Sequence, residues 1–129
     1  MGYGANMTVT NRSTSIVTTG VSSQTCMYDN GDDGSNVSFF NNIAILPNSS
    51  APSGGSQYIE AKSSGSCAFE ASSFTLILNV MNGYQEELNF KESNNNWSCQ
   101  GESQNVKVNI ENNGGRASID VTFLGAATV

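Results

Sequence analysis

The strongest constraint on the fold is a pair of hairpin patterns, each built around an Asn-Gly or Asn-Gly-Gly turn. In the C-terminal pattern, apolar and polar residues alternate over 106–111 and again over 117–123, with Asn112-Asn113-Gly114-Gly115 between them. Period-two alternation places one set of side chains on one face of a sheet, and Asn-Gly is a favoured turn for joining two such arms. The pattern therefore predicts an antiparallel hairpin.

The second hairpin pattern is centred on Asn82-Gly83, with arms over 74–81 and 84–90. Its first arm is almost continuously apolar from Leu76 to Val80, which is typical of a strand that is covered on both faces. Helical periodicity is nearly absent, because Asn, Ser, Thr and Gly are abundant and are poor residues for a helix interior. Further strands are predicted at 7–10, 16–21, 37–46 and 57–61.

Turn-forming clusters follow one another every ~8–12 residues, as in an all-β sandwich or barrel. The longest of them is the Pro- and Gly-containing loop over 47–55. No repeat or linker divides the chain, and its 129 residues suit one domain. The sequence therefore predicts an all-β protein, with residues 1–129 forming a single antiparallel β-sandwich.

The charge and the residue types argue against nucleic-acid binding and against catalysis. The net charge is −6 with only five Lys and Arg, so there is little to bind a phosphate backbone. The chain has no His, the commonest general base and metal ligand. Glu86 and Glu87 are neighbours on a predicted strand and point to opposite faces, so they cannot flank one glycosidic bond. We predict no enzymatic activity, no cofactor, no metal site and no nucleic-acid partner.

One dense acidic cluster, Asp29-Asn30-Gly31-Asp32-Asp33-Gly34, deserves comparison with calcium loops. An EF-hand loop needs an oxygen ligand at its third position and Glu at its twelfth. Here those positions hold Gly31 and Phe40, so the motif fails. We interpret the cluster as a solvated turn, with a looser calcium site as the alternative.

The three cysteines, Cys26, Cys67 and Cys99, are an odd number and none is in a Cys-x-x-Cys spacing. We expect all three to be buried thiols; the alternative is one disulfide and one thiol. The N-terminal residues have no basic segment followed by an apolar one, so no signal peptide is predicted. This leaves the cytoplasm, or secretion by another route, as the expected location.

The single tryptophan, Trp97, follows three asparagines at the start of a predicted strand. An indole beside a polar loop suits either the core or a membrane interface, because its ring is apolar and its N–H needs a polar partner. Tyr84 and Phe90 are the aromatic residues nearest to it in the preceding segment. Both interpretations stay open from the sequence.

The order of these features resembles the aegerolysins, small acidic β-sandwich proteins. The matching segments are the Met-Gly-Tyr start, Asn11 after an alternating strand, the acidic loop over 28–37, and Ile45-Leu46-Pro47 with its Ser/Gly loop. The segment from Ser64-Gly65-Ser66 to Phe74-Thr75-Leu76 and the closing strand over 114–121 are also similar. The family's tryptophan-rich motif is absent from 84–96, which leaves Trp97 as its counterpart.

The resemblance implies a lipid-binding cytolysin, hemolysin or toxin component that recognises sphingolipid or sterol membranes. Some members form pores with a larger partner of the membrane-attack-complex/perforin class. It implies that the lipid site contains Trp97, Tyr84 and Phe90, together with Glu70, which corresponds to an acidic residue of the family. The alternatives are a carbohydrate-binding module or lectin, and a structural surface protein with no small ligand.

Overall fold

The computed structural model describes residues 3–29, 35–80 and 83–125, and this part of the chain is all-β. Two short 3-10 helices, Val37–Phe40 and Gly65–Cys67, interrupt the strands. The strands are β1 (Gly4–Asn11), β2 (Val17–Thr25), β3 (Ala44–Ile45), β4 (Ser49–Ala51), β5 (Gln57–Glu60), β6 (Ser72–Val80), β7 (Gln85–Ser93), β8 (Asn96–Gln100), β9 (Val106–Glu111) and β10 (Arg116–Phe123).

The strands form two five-stranded sheets that are mostly antiparallel. Sheet A has the order β4-β1-β10-β9, and β5 pairs with the same edge of β1 as β4 does. Sheet B has the order β3-β2-β6-β7-β8. One pairing departs from the prediction, because β1 and β10 run parallel, from Gly4↔Arg116 to Asn11↔Phe123. Alternation of apolar and polar residues reports the faces of a strand but not its direction, so the sequence could not distinguish the two arrangements.

Both predicted hairpins are confirmed in the described residues. β9 and β10 pair in register, so that Ile119 lies opposite Ile110 and Val121 opposite Val108. β6 and β7 pair from Asn79↔Gln85 to Ser72↔Glu92. The prediction that β6 is covered on both faces is wrong. Its core face is covered, whereas its outer face is covered only in part: Thr75 is buried and Ile77 half-buried, but Asn79 is exposed.

The predicted strand over 37–46 is replaced by the first 3-10 helix and the two-residue strand β3. In a 3-10 helix, residues three apart lie on one side of the axis, and Val37 and Phe40 are both fully buried. Phe39 is half-buried and its ring meets the ring of Phe40 edge-on at 5.1 Å. A turn with period three therefore buries two large side chains that a strand would point to opposite faces.

One hydrophobic core receives side chains from both sheets. Sheet A contributes alternate residues of β1 and β10, and sheet B contributes β6, β7 and β8. The largest fully buried side chains include Met7, Phe74, Phe90 and Phe123. This shared core is the principal apolar contact between the two sheets.

The buried side chain of Asn11 joins the end of β1 in sheet A to β3 in sheet B. Its amide nitrogen donates hydrogen bonds to the carbonyls of Ser15 at 2.7 Å and Ile45 at 2.9 Å. Its oxygen accepts from the backbone N–H and the hydroxyl of Ser13. Because Asn11 is only 1% exposed, these bonds satisfy a polar group that would otherwise be costly to bury.

The free edge of β8 is covered by a side chain from the turn between β9 and β10. The Asn112 side chain accepts a hydrogen bond from the backbone N–H of Trp97 at 2.9 Å and donates one to the backbone carbonyl of Trp97 at 3.3 Å. One amide thus satisfies both backbone groups of Trp97 that point away from β7.

The expectation of three thiols is wrong, and the alternative of one disulfide with one thiol is what the structure contains. Cys26 and Cys67 form a disulfide with their Cα atoms 5.7 Å apart. Cys99 is free and half-buried, and burial followed by the nearby charge of Glu102 raises the pKa of its thiol to about 12. Proximity in the fold, which spacing along the chain does not reveal, decides which two cysteines pair.

Candidate functional site

The most exposed apolar feature of the described chain lies on residues 63–71, which connect β5 to β6 and are called here the Phe69 loop. Ser, Gly and Ala form most of this loop. Its backbone hydrogen bonds are local: Cys67 N–H to Ser64, Ala68 N–H to Gly65, and Glu70 N–H to Cys67. The loop therefore holds its shape by a single 3-10 turn and not by pairing with a strand.

The disulfide and a few hydrogen bonds fix this loop to sheet B. Cys67 in the loop is bonded to Cys26, which directly follows β2. At the start of the loop, the Lys62 N–H donates to the Cys26 carbonyl at 2.7 Å, and the Ser72 hydroxyl donates to the Lys62 carbonyl at 3.3 Å. These contacts secure both the base and the middle of the loop.

Phe69 is fully exposed, at 103% of its reference area. The other large apolar side chains that are exposed in the described residues retain more contact with the protein, and Leu46, the next of them, is 57% exposed. Burying a phenylalanine side chain is worth about 1.5–3 kcal/mol. In the isolated chain Phe69 forgoes this gain, so it is available to any apolar partner that meets the loop.

A cleft of about 540 Å³ lies beside Phe69, between the loop and the turn that joins β7 to β8. Tyr3, Lys62 and Glu70 line one part of it, and Glu92 and Asn95 line the other. The Asn95 N–H donates to a Glu92 carboxylate oxygen at 2.9 Å, which orders the turn. An apolar tip next to a polar cleft can engage a ligand that has both kinds of surface.

Glu70 is the only predicted site residue that lies in this place. It is exposed, and its carboxylate oxygen lies 3.9 Å from Cys26 Sγ. A disulfide sulfur has no proton to donate, so this is a contact and not a hydrogen bond. The carboxylate therefore remains accessible beside Phe69.

The structure places Trp97 and Phe90 in the core, so their assignment to a lipid-binding surface is wrong for the folded protein. Trp97 is 3% exposed and meets the ring of Phe74 edge-on at 6.1 Å. Phe90 is 1% exposed and stacks on the same ring at 5.0 Å. The polar loop before Trp97 suggested an interface, but Trp97, the second residue of β8, points inward, whereas the three asparagines before it are exposed.

Tyr84 lies at the opposite end of β7 from Glu70, so the two cannot belong to one site. The nine residues of β7 separate them, which is about 30 Å of extended chain. The Tyr84 hydroxyl donates to Glu86 and accepts from Asn105. The hydrogen bond to Glu86, followed by desolvation, raises the pKa of Tyr84. We interpret this cluster as a structural link between β7 and the loop before β9.

Only one residue of the acidic cluster over 29–34 is described. Asp29 accepts hydrogen bonds from the Ser38 hydroxyl at 2.6 Å and the Ser38 N–H at 3.2 Å, which engages both its oxygens. Residues 30–34 lie outside the described part of the chain, so the interpretation as a solvated turn and the alternative of a calcium site both stay predictions. Within 3–29, 35–80 and 83–125, no group of three or more acidic or cysteine side chains could hold a metal ion.

Sequence reasoning missed Phe69 and assigned it no role. Phe69 stands in a run rich in Ser, Gly and Ala with no alternation, and its neighbours at i±2, Cys67 and Ala71, are small. This pattern indicates a loop and not a strand, but it does not determine whether the ring is exposed.

The comparisons with known proteins add no assignment. No family model matches the chain, and no curated protein is significantly similar to it. No helix within the described residues is long and apolar enough to cross a membrane.

Proposed function

We propose that the two sheets form a single β-sandwich and that this domain binds membrane lipids through the Phe69 loop, in the manner of an aegerolysin-like cytolysin. The observation that carries the proposal is Phe69 itself, fully exposed on a loop that a disulfide holds in place. The shared core and the Asn11 hydrogen bonds support the sandwich.

The loop has the composition expected of a segment that enters a membrane interface. An aromatic ring buries apolar area among the acyl chains, while most of the residues around it are small and Glu70 is the one charged residue of the loop. Lys62 and Glu70 flank the apolar tip with opposite charges. This arrangement suits a neutral or zwitterionic lipid surface, such as one rich in sphingolipid and sterol.

Charge supports the same choice of lipid. The chain carries a net charge of −6, so an anionic surface would repel it. We propose binding without catalysis, since no His is available and the adjacent Glu86 and Glu87 differ in exposure and face. A pore-forming partner of the membrane-attack-complex/perforin class is part of this proposal.

The test is binding of Phe69→Ala to vesicles of sphingomyelin and cholesterol, measured by co-sedimentation. We expect a loss of roughly tenfold or more, because the side chain contributes about 1.5–3 kcal/mol when buried and 1.4 kcal/mol is tenfold. Leu46→Ala is the matched control, since Leu46 is another exposed apolar side chain but lies outside the loop.

Equal binding by Phe69→Ala and the native protein would refute the role of the loop. Absence of binding by the native protein to any vesicle would refute the function. Binding to an immobilised glycan without binding to vesicles would establish the second candidate, a carbohydrate-binding module, which the polar lining of the cleft favours.

A further inference from the structure

We propose that the lipid carries a neutral sugar headgroup and that a polar groove on the outer face of sheet B binds it; this inference rests on the proposed membrane function. The groove has a volume of about 540 Å³, within the range of ligand sites, about 300–1,000 Å³. It is separate from the cleft beside Phe69, and its lining comes from β2, β6, β7 and β8.

The groove consists of two rows of side chains that run across the strands. The register pairs Thr25 with Ser73, Ser73 with Lys91, and Lys91 with Ser98, which forms the first row. The second row is formed in the same way, by Thr75, Asn89 and Gln100, with Ser23 beside it. Four strands at about 4.8 Å spacing give a groove about 14 Å wide, with the rows about 7 Å apart.

An irregularity in β2 shapes one wall of the groove. The pairing of β2 with β6 shifts between Ser22 and Thr25, and Ser23 has a left-handed backbone with φ of 54°. A bulge of this kind bends a strand and increases its twist, so this end of β2 is bent relative to the rest of sheet B. The row of polar groups thereby becomes a concave surface.

The chemistry of the lining suits a polyhydroxylated, uncharged ligand. Apart from Lys91, every polar side chain that lines the groove carries a hydroxyl or an amide group, and no carboxylate lines it. Thr75 donates to the Asn89 oxygen at 2.8 Å, which leaves the Asn89 NH₂ to donate outward. Across the described chain, the side chains of Ser73, Lys91 and Gln100 make no hydrogen bond within the protein, so their polar groups are open to a ligand.

Apolar ligands and polyanions fit this groove less well than a neutral sugar. Most small-molecule sites are lined mainly by apolar residues, whereas eight of the nine residues that line this groove are polar, with Phe74 as the exception. One lysine on a molecule with a net charge of −6 gives weak attraction for an anionic glycan. Mixed donors and acceptors at fixed spacing are what sugar hydroxyl groups require.

The position of the groove relative to the Phe69 loop identifies the source of the sugar. Thr25 directly precedes Cys26 of the disulfide, and Ser73 is two residues beyond the end of the loop. The first row therefore lies at the end of sheet B that carries Phe69. When Phe69 meets the bilayer, a headgroup that projects from the membrane passes along the groove, so one glycolipid can contact both places.

The test compares phosphatidylcholine/cholesterol vesicles with and without lactosylceramide, a neutral glycolipid. We expect the native protein to bind the glycolipid vesicles at least roughly tenfold more tightly, since several hydrogen bonds are added. Gln100→Ala and Asn89→Ala should each reduce that preference, whereas Phe69→Ala should weaken binding to both vesicles. The control is Asn109→Ala, which removes an exposed amide from the outer face of sheet A.

Each remaining outcome supports or overturns a specific part of the inference. Equal binding to both vesicles refutes the sugar headgroup and leaves the membrane function standing, whereas no binding to either refutes both. A preference for sulfatide that Lys91→Ala abolishes refutes the neutral charge of the headgroup. Competition by free lactose that Gln100→Ala removes supports the groove, and competition that survives both groove variants refutes it. Melting temperatures confirm that the variants are folded.

Discussion

At the scale of single residues, the two aromatic side chains that matter most have opposite environments. Trp97 is enclosed by the core and contacts Phe74, whereas Phe69 touches almost nothing. Each is the only large apolar residue in a stretch of small and polar ones, so local composition does not separate them. What separates them is the strand: Trp97 is in β8 at an inward position, and Phe69 is in a loop.

We predict that Trp97→Ala lowers the free energy of unfolding by about 3–5 kcal/mol, because it leaves a large cavity beside Phe74. Urea denaturation followed by circular dichroism measures the change. Phe69→Ala is the matched control and should stay within about 0.5 kcal/mol of the native protein. If Trp97→Ala kept native stability but lost vesicle binding, the result would contradict the burial of Trp97 and support its role at the membrane.

The thiol of Cys99 predicts a pH dependence of stability. Burial raises its pKa from 9.0 to about 12, so between these values the unfolded chain loses a proton that the folded chain keeps. Loss of that proton favours the unfolded state, and the free energy of unfolding should fall as the pH rises from about 9 to 12. The raised pKa of Tyr84 acts in the same direction.

Cys99→Ala should reduce this slope, as measured by urea denaturation at a series of pH values. An unchanged slope in the variant would show that the thiol does not carry the effect.

Thiol titration of the denatured, unreduced protein should find one thiol per chain. Three thiols would contradict the disulfide.

At the scale of the elements, the disulfide connects the end of β2 to a loop that lacks strand pairing. It closes a span of 41 residues that includes the first 3-10 helix and β3, β4 and β5. These are among the shortest elements of the described fold and contribute few backbone pairings of their own. A covalent link across this region therefore restrains the part of the chain that the sheets restrain least.

We predict that the double variant Cys26→Ser/Cys67→Ser loses about 3–4 kcal/mol of stability, since a bridge across a loop of this length restricts the unfolded chain. Vesicle binding should also weaken at temperatures where the variant is still folded, because Phe69 is no longer held at one position. Cys99→Ser is the matched control and should keep vesicle binding. Native-like melting and binding in the double variant would show that the hydrogen bonds at Lys62 are enough.

The strands were predictable from the sequence to the extent that alternation was regular. In β9 and β10 each inward residue is apolar and each outward one is polar, so the period alone defines the hairpin. The prediction of a strand over 37–40 failed because the two buried residues there are three apart, a spacing that does not fit the period of two in a strand. The disulfide, and with it the place of the Phe69 loop in the fold, depends on which distant segments meet, and no local pattern contains that information.

At the scale of the whole molecule, the two ends of sheet B differ in character. One end holds the Phe69 loop, the disulfide and the first row of the groove, whereas the other holds the hydrogen-bonded cluster of Tyr84, Glu86 and Asn105. The two ends of sheet B therefore differ, with the fully exposed Phe69 at one end and the partly exposed Ile16 and Leu46 at the other. A domain of this kind would approach a membrane with its strands steeply inclined to the surface.

The net charge of −6 predicts how the whole domain responds to lipid charge. Adding phosphatidylserine to sphingomyelin/cholesterol vesicles should weaken binding at low ionic strength, because the surface becomes negative. Raising the salt should restore binding, since the Debye length falls from ~10 Å at 0.1 M to ~3 Å at 1 M. Co-sedimentation across a salt series measures this. Stronger binding to anionic vesicles would mean that Lys62 and Lys91 outweigh the net charge.

The Asn112 side chain has a consequence for how copies of this protein meet one another. A strand at the margin of a sheet offers unsatisfied backbone groups, and a second chain can pair with them and begin an aggregate. An amide offers the same donor and acceptor as a peptide group, so Asn112 takes the place at Trp97 that an incoming strand would need. At this position of β8, a side chain of the same molecule therefore occupies the backbone groups through which a second copy could add a strand.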